Sequence, residues 1–518
     1  MRELRAKGDY GERPAKFRVK REPDSLPSLL FALSRLCSPA FVASFRARGY
    51  YSASNFGFQQ NNPDERNWNL LTPGIESYKL TACEDVMTRT LLSLGIITTL
   101  LFALACERKG GPGAGGDSGP IVVGYYGDLT GRTSNFGQST KNGVEMAADE
   151  INKAGGINGR QITILSEDDE GRPEKAATVV TKLIDQDRVV ALLGEVASGN
   201  TLAAAPKAQA SHVPMISPSS TNPAVTQVGD YIFRVCFIDP FQGDVMAKFA
   251  TNTLKAKTAA IMLDFNSPYS RGLTEFFEAS FTKSGGRIVN KQAYTQGDRD
   301  YKGQLTAIRS ANPDVIYVPG YYGEVGVIAK QAKQLDIKAP MLGGDGWDST
   351  QLWDLGGDSL NGSFISNHYS VDDPSPAIQK FVADYKARYG NVPDALAALG
   401  YDAMNVLADA MKRAGTTAEP QLRDAIAATK NFGGVTGNIS IDAQRNAVKP
   451  AVVLRLENKK YVYQETIFPE GMTPTTTASP AATISPAATG ASPAAATSPA
   501  AATSPTRAAS PATTASPR

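Results

Sequence analysis

From Ile121 onward, short β-branched and aliphatic runs alternate with longer stretches in which apolar side chains recur every three or four positions. Ile121–Tyr125 and Gln161–Leu165 are predicted strands. Between and after them, Val144, Ala147, Ala148 and Ile151, and then Ala176, Val180, Leu183 and Ile184, fall on single helical faces. Val189–Leu193, a small-residue helix over Asn200–Ala210, and strands at Val213–Ile216 and Ile232–Val235 continue the alternation. The pattern then restarts: a helix from about Phe241, strand Thr258–Leu263, a helix from Arg271, strand Arg287–Ala293 and a helix from Tyr301. Strand Asp314–Val318, helix Gly323–Leu335 and strand Pro340–Leu342 follow. Strand–helix alternation implies parallel sheets, and two such runs imply two lobes, giving an α/β fold in which each lobe is a mainly parallel sheet flanked by helices.

Asp239-Pro240 marks the expected first crossing between lobes. The helix-rich block Pro376–Lys430 returns the chain to the first lobe, and strands near Ala451–Leu456 and Tyr461–Ile467 complete the second. This places lobe 1 at 121–239 plus about 369–445, and lobe 2 at 240–368 plus about 446–468.

One stretch within this alternation carries a binding edge. Val189–Pro223 holds two apolar strands, each running into small hydroxyl residues: Ser198 where strand hands over to helix, and Ser217, Ser219, Ser220 and Thr221 past the next strand end. In open α/β sheets ligands sit beyond the carboxyl ends of strands, where hydroxyls and helix N-terminal amides hold an anion without a counter-charge. A carboxylate is the expected guest; the same residues also serve as ordinary N-caps and turn formers, so two readings stand.

The chain ends differ from this core. Met87-Thr-Arg-Thr followed by the apolar run Leu91–Ala105 has the length of a signal-peptide core rather than of a membrane span. Cys106 after Ala103-Leu104-Ala105 resembles a bacterial lipobox, although Ala103 replaces the usual Leu; this implies cleavage before Cys106 and acylation of its sulfur. A signal peptide must open a chain, so either translation begins at Met87 and residues 1–86 are a non-native or disordered extension, or the export reading fails. Residues 106–120 are a Gly-rich tether. Their formal G-x-G-x-x-G, at Gly111–Gly116, follows no strand and opens no helix, as dinucleotide binding would require. The Pro/Ala/Thr/Ser-rich tail, 472–518, lacks aromatic residues and is expected to be disordered.

Composition narrows the function classes. Of 518 residues 42% are hydrophobic and 20% charged, as in ordinary globular proteins, and a net charge of +2 argues against nucleic acid as a partner. Cys37 and Cys83 lie upstream of the expected export signal and Cys106 is the lipid site. Cys236 is then alone in the folded region, so no disulfide framework is expected. With two histidines and no nucleophile elbow, phosphate loop or Cys/His metal spacing, neither an enzyme nor a metal or cofactor site is expected. Asp168-Asp169 matches an acid/base or metal pair in type, but its place between a strand and Gly171-Arg172-Pro173 fits a turn.

From about Ile121 to Phe468 the sequence resembles the periplasmic branched-chain amino-acid-binding proteins of ABC importers, with the type I periplasmic binding fold. The blocks that carry the resemblance are GDLTGRTSNFGQSTKNGVEMAADEINKAGGINGR, EDDEGRPEKA, GEVASGNT, ISPSSTNP and YVPGYYGEVGVIAKQA. It implies a monomeric, lipid-anchored, extracytoplasmic protein that captures an α-amino acid by lobe closure and delivers it to an inner-membrane permease. It also implies that Ser198 and Thr221 hold the amino acid's carboxylate and part of its ammonium, and that Ser219 contributes a backbone carbonyl. Tyr269 and Tyr321 would close over the ligand, and Asp345 would pair with the ammonium. Two positions depart from leucine-binding members: Asp345 stands for Glu, one methylene shorter, and Phe136 stands for Tyr. Glu170 and Ala197 fall at or near the positions of a disulfide found in some relatives. Without the resemblance, core rings are a second, less favoured reading of Tyr269 and Tyr321, a turn former that of Asp345, and Trp347 reads as pocket wall or loop cover. The same fold serves in sensors, so a receptor for an amide, urea or aromatic acid is the alternative function.

Overall fold

The computed structural model describes residues 119–472; the expected signal segment, the Cys106 lipid site and the tail beyond Met472 lie outside the described residues. The first run of alternation builds β1 (Ile121–Gly127), α1 (Ser134–Lys153), β2 (Ile162–Asp168), α2 (Pro173–Asp185) and β3 (Ala191–Leu193). It continues through α3 (Ser198–Ala210), β4 (Met215–Ser217), α4 (Ala224–Gln227) and β5 (Ile232–Arg234). These strands form one all-parallel sheet in the order β2-β1-β3-β4-β5. The three inner strands are buried along their whole length, or all but one residue of it, because helices cover both faces, which is why they read as continuous apolar runs rather than as alternation.

The second run gives α5 (Asp239–Lys248), β6 (Thr258–Asp264), α6 (Pro268–Lys283), β7 (Arg287–Tyr294), α7 (Lys302–Ala311) and β8 (Val315–Tyr317). After it come α8 (Tyr322–Gln334), β9 (Met341–Gly343), α9 (Thr350–Gly356) and β10 (Ser363–Asn367). The chain then leaves this sheet for α10 (Pro376–Tyr389), α11 (Ala395–Ala414) and α12 (Gln421–Ala427), and for a small antiparallel sheet of β11 (Phe432–Gly434), β12 (Gly437–Ile441) and β13 (Ala447–Val448). It returns as β14 (Ala451–Glu457) and β15 (Lys460–Ile467), which extend the second sheet to the order β15-β14-β10-β9-β8-β6-β7. In that sheet β14 pairs antiparallel with both β10 and β15, and the remaining pairs are parallel.

Helix α11 shows why the returning block belongs to the first sheet. Asp394 caps it by accepting the Ala397 N–H at 2.9 Å, Gly415 ends it at φ 68°, and its small residues permit a close approach to α1. A Cβ on Gly143 would lie 1.9 Å from the Ala397 carbonyl oxygen, and one on Gly400 would lie 2.3 Å from that of Thr140. The helices therefore cross backbone to backbone.

Boundaries differ from the sequence expectation where capping chemistry went unread. Helix α6 starts at Pro268 rather than Arg271, because Ser267 accepts the Ser270 N–H at 3.2 Å and Pro268 fits the first helical turn. Tyr269 is thus a first-turn residue rather than a loop residue. Strand β10 and the β11–β13 sheet were absent from the expectation: SFISN and FGG are too short and too polar or Gly-rich to show a period.

Candidate functional site

The wall contributed by the first sheet is built from the β3–α3 turn and the segment after β4. Ser198 opens α3 behind an extended Ala197, is 1% exposed, and its Oγ accepts the Asn222 N–H at 3.3 Å. Ser219 is buried at the pocket, and Thr221 is fully buried with its hydroxyl making no hydrogen bond of ordinary geometry. The other two hydroxyls do different work. Ser217 and Ser220 both donate to the Glu195 carbonyl, at 2.8 and 2.9 Å, so they brace the turn that presents Ser198. Of the expected hydroxyl cluster, Ser219 lines the pocket, and Ser217 and Ser220 brace the turn beneath it.

The facing wall comes from the second sheet. Asp345, 3% exposed, sits in a single 3-10 turn after β9. Its Oδ1 accepts from the Tyr269 hydroxyl and from Gln242 Nε2, both at 2.8 Å, and its Oδ2 lies 3.1 Å from His368 Nε2. The Tyr269 hydroxyl also accepts the Gly346 N–H at 3.0 Å. Tyr321, at the N-cap of α8, stacks on Tyr269 with centroids 5.1 Å apart and planes at 10°. Phe136, from α1, meets Tyr321 edge-on at 5.8 Å and Tyr322 at 4.8 Å. These rings, with Ser219, Asp345, Val196 and Leu396, line one pocket between the two sheets.

The walls touch. Tyr322 donates its hydroxyl to the Arg132 carbonyl at 3.1 Å, Asn222 Nδ2 donates to the Pro268 carbonyl at 2.9 Å, and the Ser349 hydroxyl donates to Asn135 Oδ1 at 2.7 Å. Of the seven residues expected at the ligand, Phe136, Ser219, Tyr269, Tyr321 and Asp345 line one closed pocket, whereas Ser198 and Thr221 are buried outside its lining. Trp347 is core: it is fully buried and its Nε1 donates to the Val318 carbonyl at 3.0 Å. A roomier cavity beside Trp353, Tyr369 and Tyr461 lies away from these residues, and two of its carboxylates, the buried Asp348 and the half-buried Asp394, already accept the Ala395 and Ala397 N–H groups at the start of α11.

Two acidic features escaped the sequence reading. Asp239 opens α5 on the first crossing; it is fully buried and neither carboxylate oxygen meets a hydrogen bond of ordinary geometry. Burial pushes its carboxyl up to about 8, with Thr221 and Arg234 pulling the other way and Asp345 adding to the rise. Its backbone N–H donates to the Thr221 carbonyl at 3.0 Å, so it adjoins the hydroxyl wall. Asp-Pro at a helix start was legible only as a crossing marker.

The second feature lies beneath Ser198, where Asp128, Asp169 and Glu195 are buried together. Glu195 accepts the Ala197 and Asp128 N–H groups. Burial, and then the neighbouring Asp169, holds Glu195 well above the usual carboxylate range, and burial takes Asp169 to about 7. Asp168 and Asp169 themselves form the expected turn, accepting the Glu170 and Gly171 N–H groups, each at 2.9 Å. Among the described residues no group of acidic, His or Cys side chains is placed to hold a metal, and no helix is long and apolar enough to cross a membrane.

A family model for periplasmic binding proteins matches residues 120–460. The chain belongs to the periplasmic binding protein family. It is 31% identical over 336 residues to the Leu/Ile/Val-binding protein BraC3 of Rhizobium johnstonii, an alignment covering 65% of this chain and 88% of that protein. Among solved structures it is similar to the leucine binding protein LivK of Thermotoga maritima, at 38% identity and a TM-score of 0.66, covering 68% of this chain and all of that one. It is also similar to the branched-chain amino acid transporter substrate binding protein LivJ of Streptococcus pneumoniae in complex with isoleucine, at 34% identity, a TM-score of 0.65 and the same coverage. As a member of this family the chain has the type I, two-lobed periplasmic binding fold expected from its sequence.

Proposed function

We propose that this periplasmic binding protein is the extracytoplasmic solute-binding component of an ABC importer and that it captures an α-amino acid with a branched aliphatic side chain. The observation that carries the reading is the Asp345 carboxylate, held by Tyr269, Gln242 and His368 and sharing a closed pocket with Ser219 of the facing lobe. A zwitterion needs donors for its carboxylate and acceptors for its ammonium on opposite walls, because a buried charge left unmet costs more than binding gains. Ser198, Thr221 and the first-turn amides of α3 serve the carboxylate, while Asp345 and the Ser219 carbonyl, with Thr221 at the edge of both, serve the ammonium. Phe136, Val196 and Leu396 offer the side chain an apolar wall. This division of labour agrees with what the relatives are named for.

Lobe closure presents one surface built from both lobes, which a membrane permease can distinguish from the open form. Calorimetric titration with leucine, isoleucine, valine, phenylalanine, glutamate and acetamide tests the reading. Micromolar or tighter binding is expected for the branched aliphatic amino acids, and binding of acetamide alone would replace the importer reading with an amide sensor. Cys106 is proposed as the lipid anchor of the mature chain: labelled fatty acid should enter the wild type but not Cys106→Ala, and an unlabelled wild type would remove the anchor.

A further inference from the structure

We infer that His368 is a positioning residue for amino-group recognition: it holds Asp345 through Nε2 and ties that carboxylate to the crossings that join the lobes. The inference rests on the proposed amino-acid reading and deepens it.

His368 directly follows Asn367, the last residue of β10, and so begins the second crossing. Its backbone N–H donates to Asn367 Oδ1 at 2.8 Å, and Asn367 Nδ2 donates to Asp348 Oδ2 at 2.8 Å, which fixes the main chain there. The imidazole is wholly buried and stacks on Phe237, with centroids 3.8 Å apart and planes at 18°. Phe237 belongs to the first crossing, between β5 and α5. One ring therefore packs on the first crossing, hangs from the second, and bonds to the ligand-facing acid.

The chemistry of that bond is directional. Burial holds the imidazole down at about 4, with Lys449 on the third crossing adding to the fall and Asp345 opposing it, so the ring is neutral at pH 7 and carries one N–H. Nδ1 is buried without a partner, whereas Nε2 faces a carboxylate oxygen, and only an Nε2–H makes that meeting attractive. A carboxylate has about four acceptor positions, and Tyr269, Gln242 and His368 occupy three. None of the three brings a positive charge. The remaining position, at Oδ2, is left for a cation, and the field of the carboxylate is left uncompensated for it. A lysine or arginine at 368 would bring a positive charge to Asp345 and abolish this.

The chain holds two histidines, His212 and His368, so histidine-selective 15N labelling reads the ring directly. The expected spectrum of the full chain at pH 7 shows His368 as the neutral Nε2–H tautomer, with its resonances moving when the tightest-binding amino acid of the panel is added. A cationic ring, an Nδ1–H tautomer or resonances unmoved by ligand would overturn the inference.

A mutant cycle supplies the energetic arm. His368→Leu is expected to weaken binding roughly tenfold in the wild-type background, and His368→Gln, which keeps an N–H donor, to recover most of that. In an Asp345→Asn background the same His368→Leu change should alter affinity by less than about twofold, since the bond it removes no longer serves a carboxylate. Equal losses in both backgrounds would show a merely structural ring and overturn the positioning role. Should His368→Leu fail to fold, the labelled wild type decides alone. If the wild type bound no α-amino acid at all, the ligand reading would fall and carry this inference with it, an outcome distinct from a wild type that binds with an additive cycle.

Discussion

Replacing Asp345 with alanine is expected to weaken amino-acid binding at least about tenfold, because a charge-assisted hydrogen bond contributes about 1.5–3 kcal/mol, roughly ten- to a hundred-fold in affinity. The loss is not confined to the ligand. Tyr269, Gln242 and His368 all direct donors at this carboxylate from buried positions, and in the alanine variant those donors face a gap that the ligand's own ammonium cannot fill. Asp345→Asn should lose less, since it keeps an oxygen for two of these donors but loses the charge. Calorimetry on both variants checks the order. Unchanged affinity in the alanine variant would take Asp345 out of the site and favour a neutral amide as ligand.

Asp239 should make binding depend on pH. Without ligand, burial holds its carboxyl at about 8, so at neutral pH it is largely protonated. An ammonium placed beside Thr221 favours the ionised form and lowers that value, so binding releases a proton at pH between the lowered value in the complex and about 8. The sign follows: affinity rises with pH, by up to about tenfold per unit, and levels off near 8. Titration in buffers of different ionisation heat counts the protons directly. Asp239→Asn should abolish both the release and the slope and bind about tenfold more weakly at pH 8, the worth of one charged contact. Heats that do not depend on the buffer would place Asp239 outside the reach of the amino group.

The sequence by itself determined the architecture, because strand and helix signals are local: apolar runs at period-free density for strands buried on both faces, and three-to-four spacing for the helices that cover them. It also determined which hydroxyls stand at strand ends, since Ser198, Ser219 and Thr221 follow their strands within a few residues. What it did not contain was depth. Ser217 and Ser220 have the same chemistry and nearly the same positions as Ser219 and Thr221, yet bond to the Glu195 carbonyl. Only the path of the folded loop separates the two pairs. Asp239, Gln242 and His368 carry no motif and lie far apart in the chain from Asp345 and from most of one another. Their meaning arises when the crossings bring them to one buried point, where a low dielectric raises one carboxyl and leaves another uncompensated. Burial and long-range proximity are properties of the assembled lobes, and the electrostatics of the site was therefore decided by the tertiary structure.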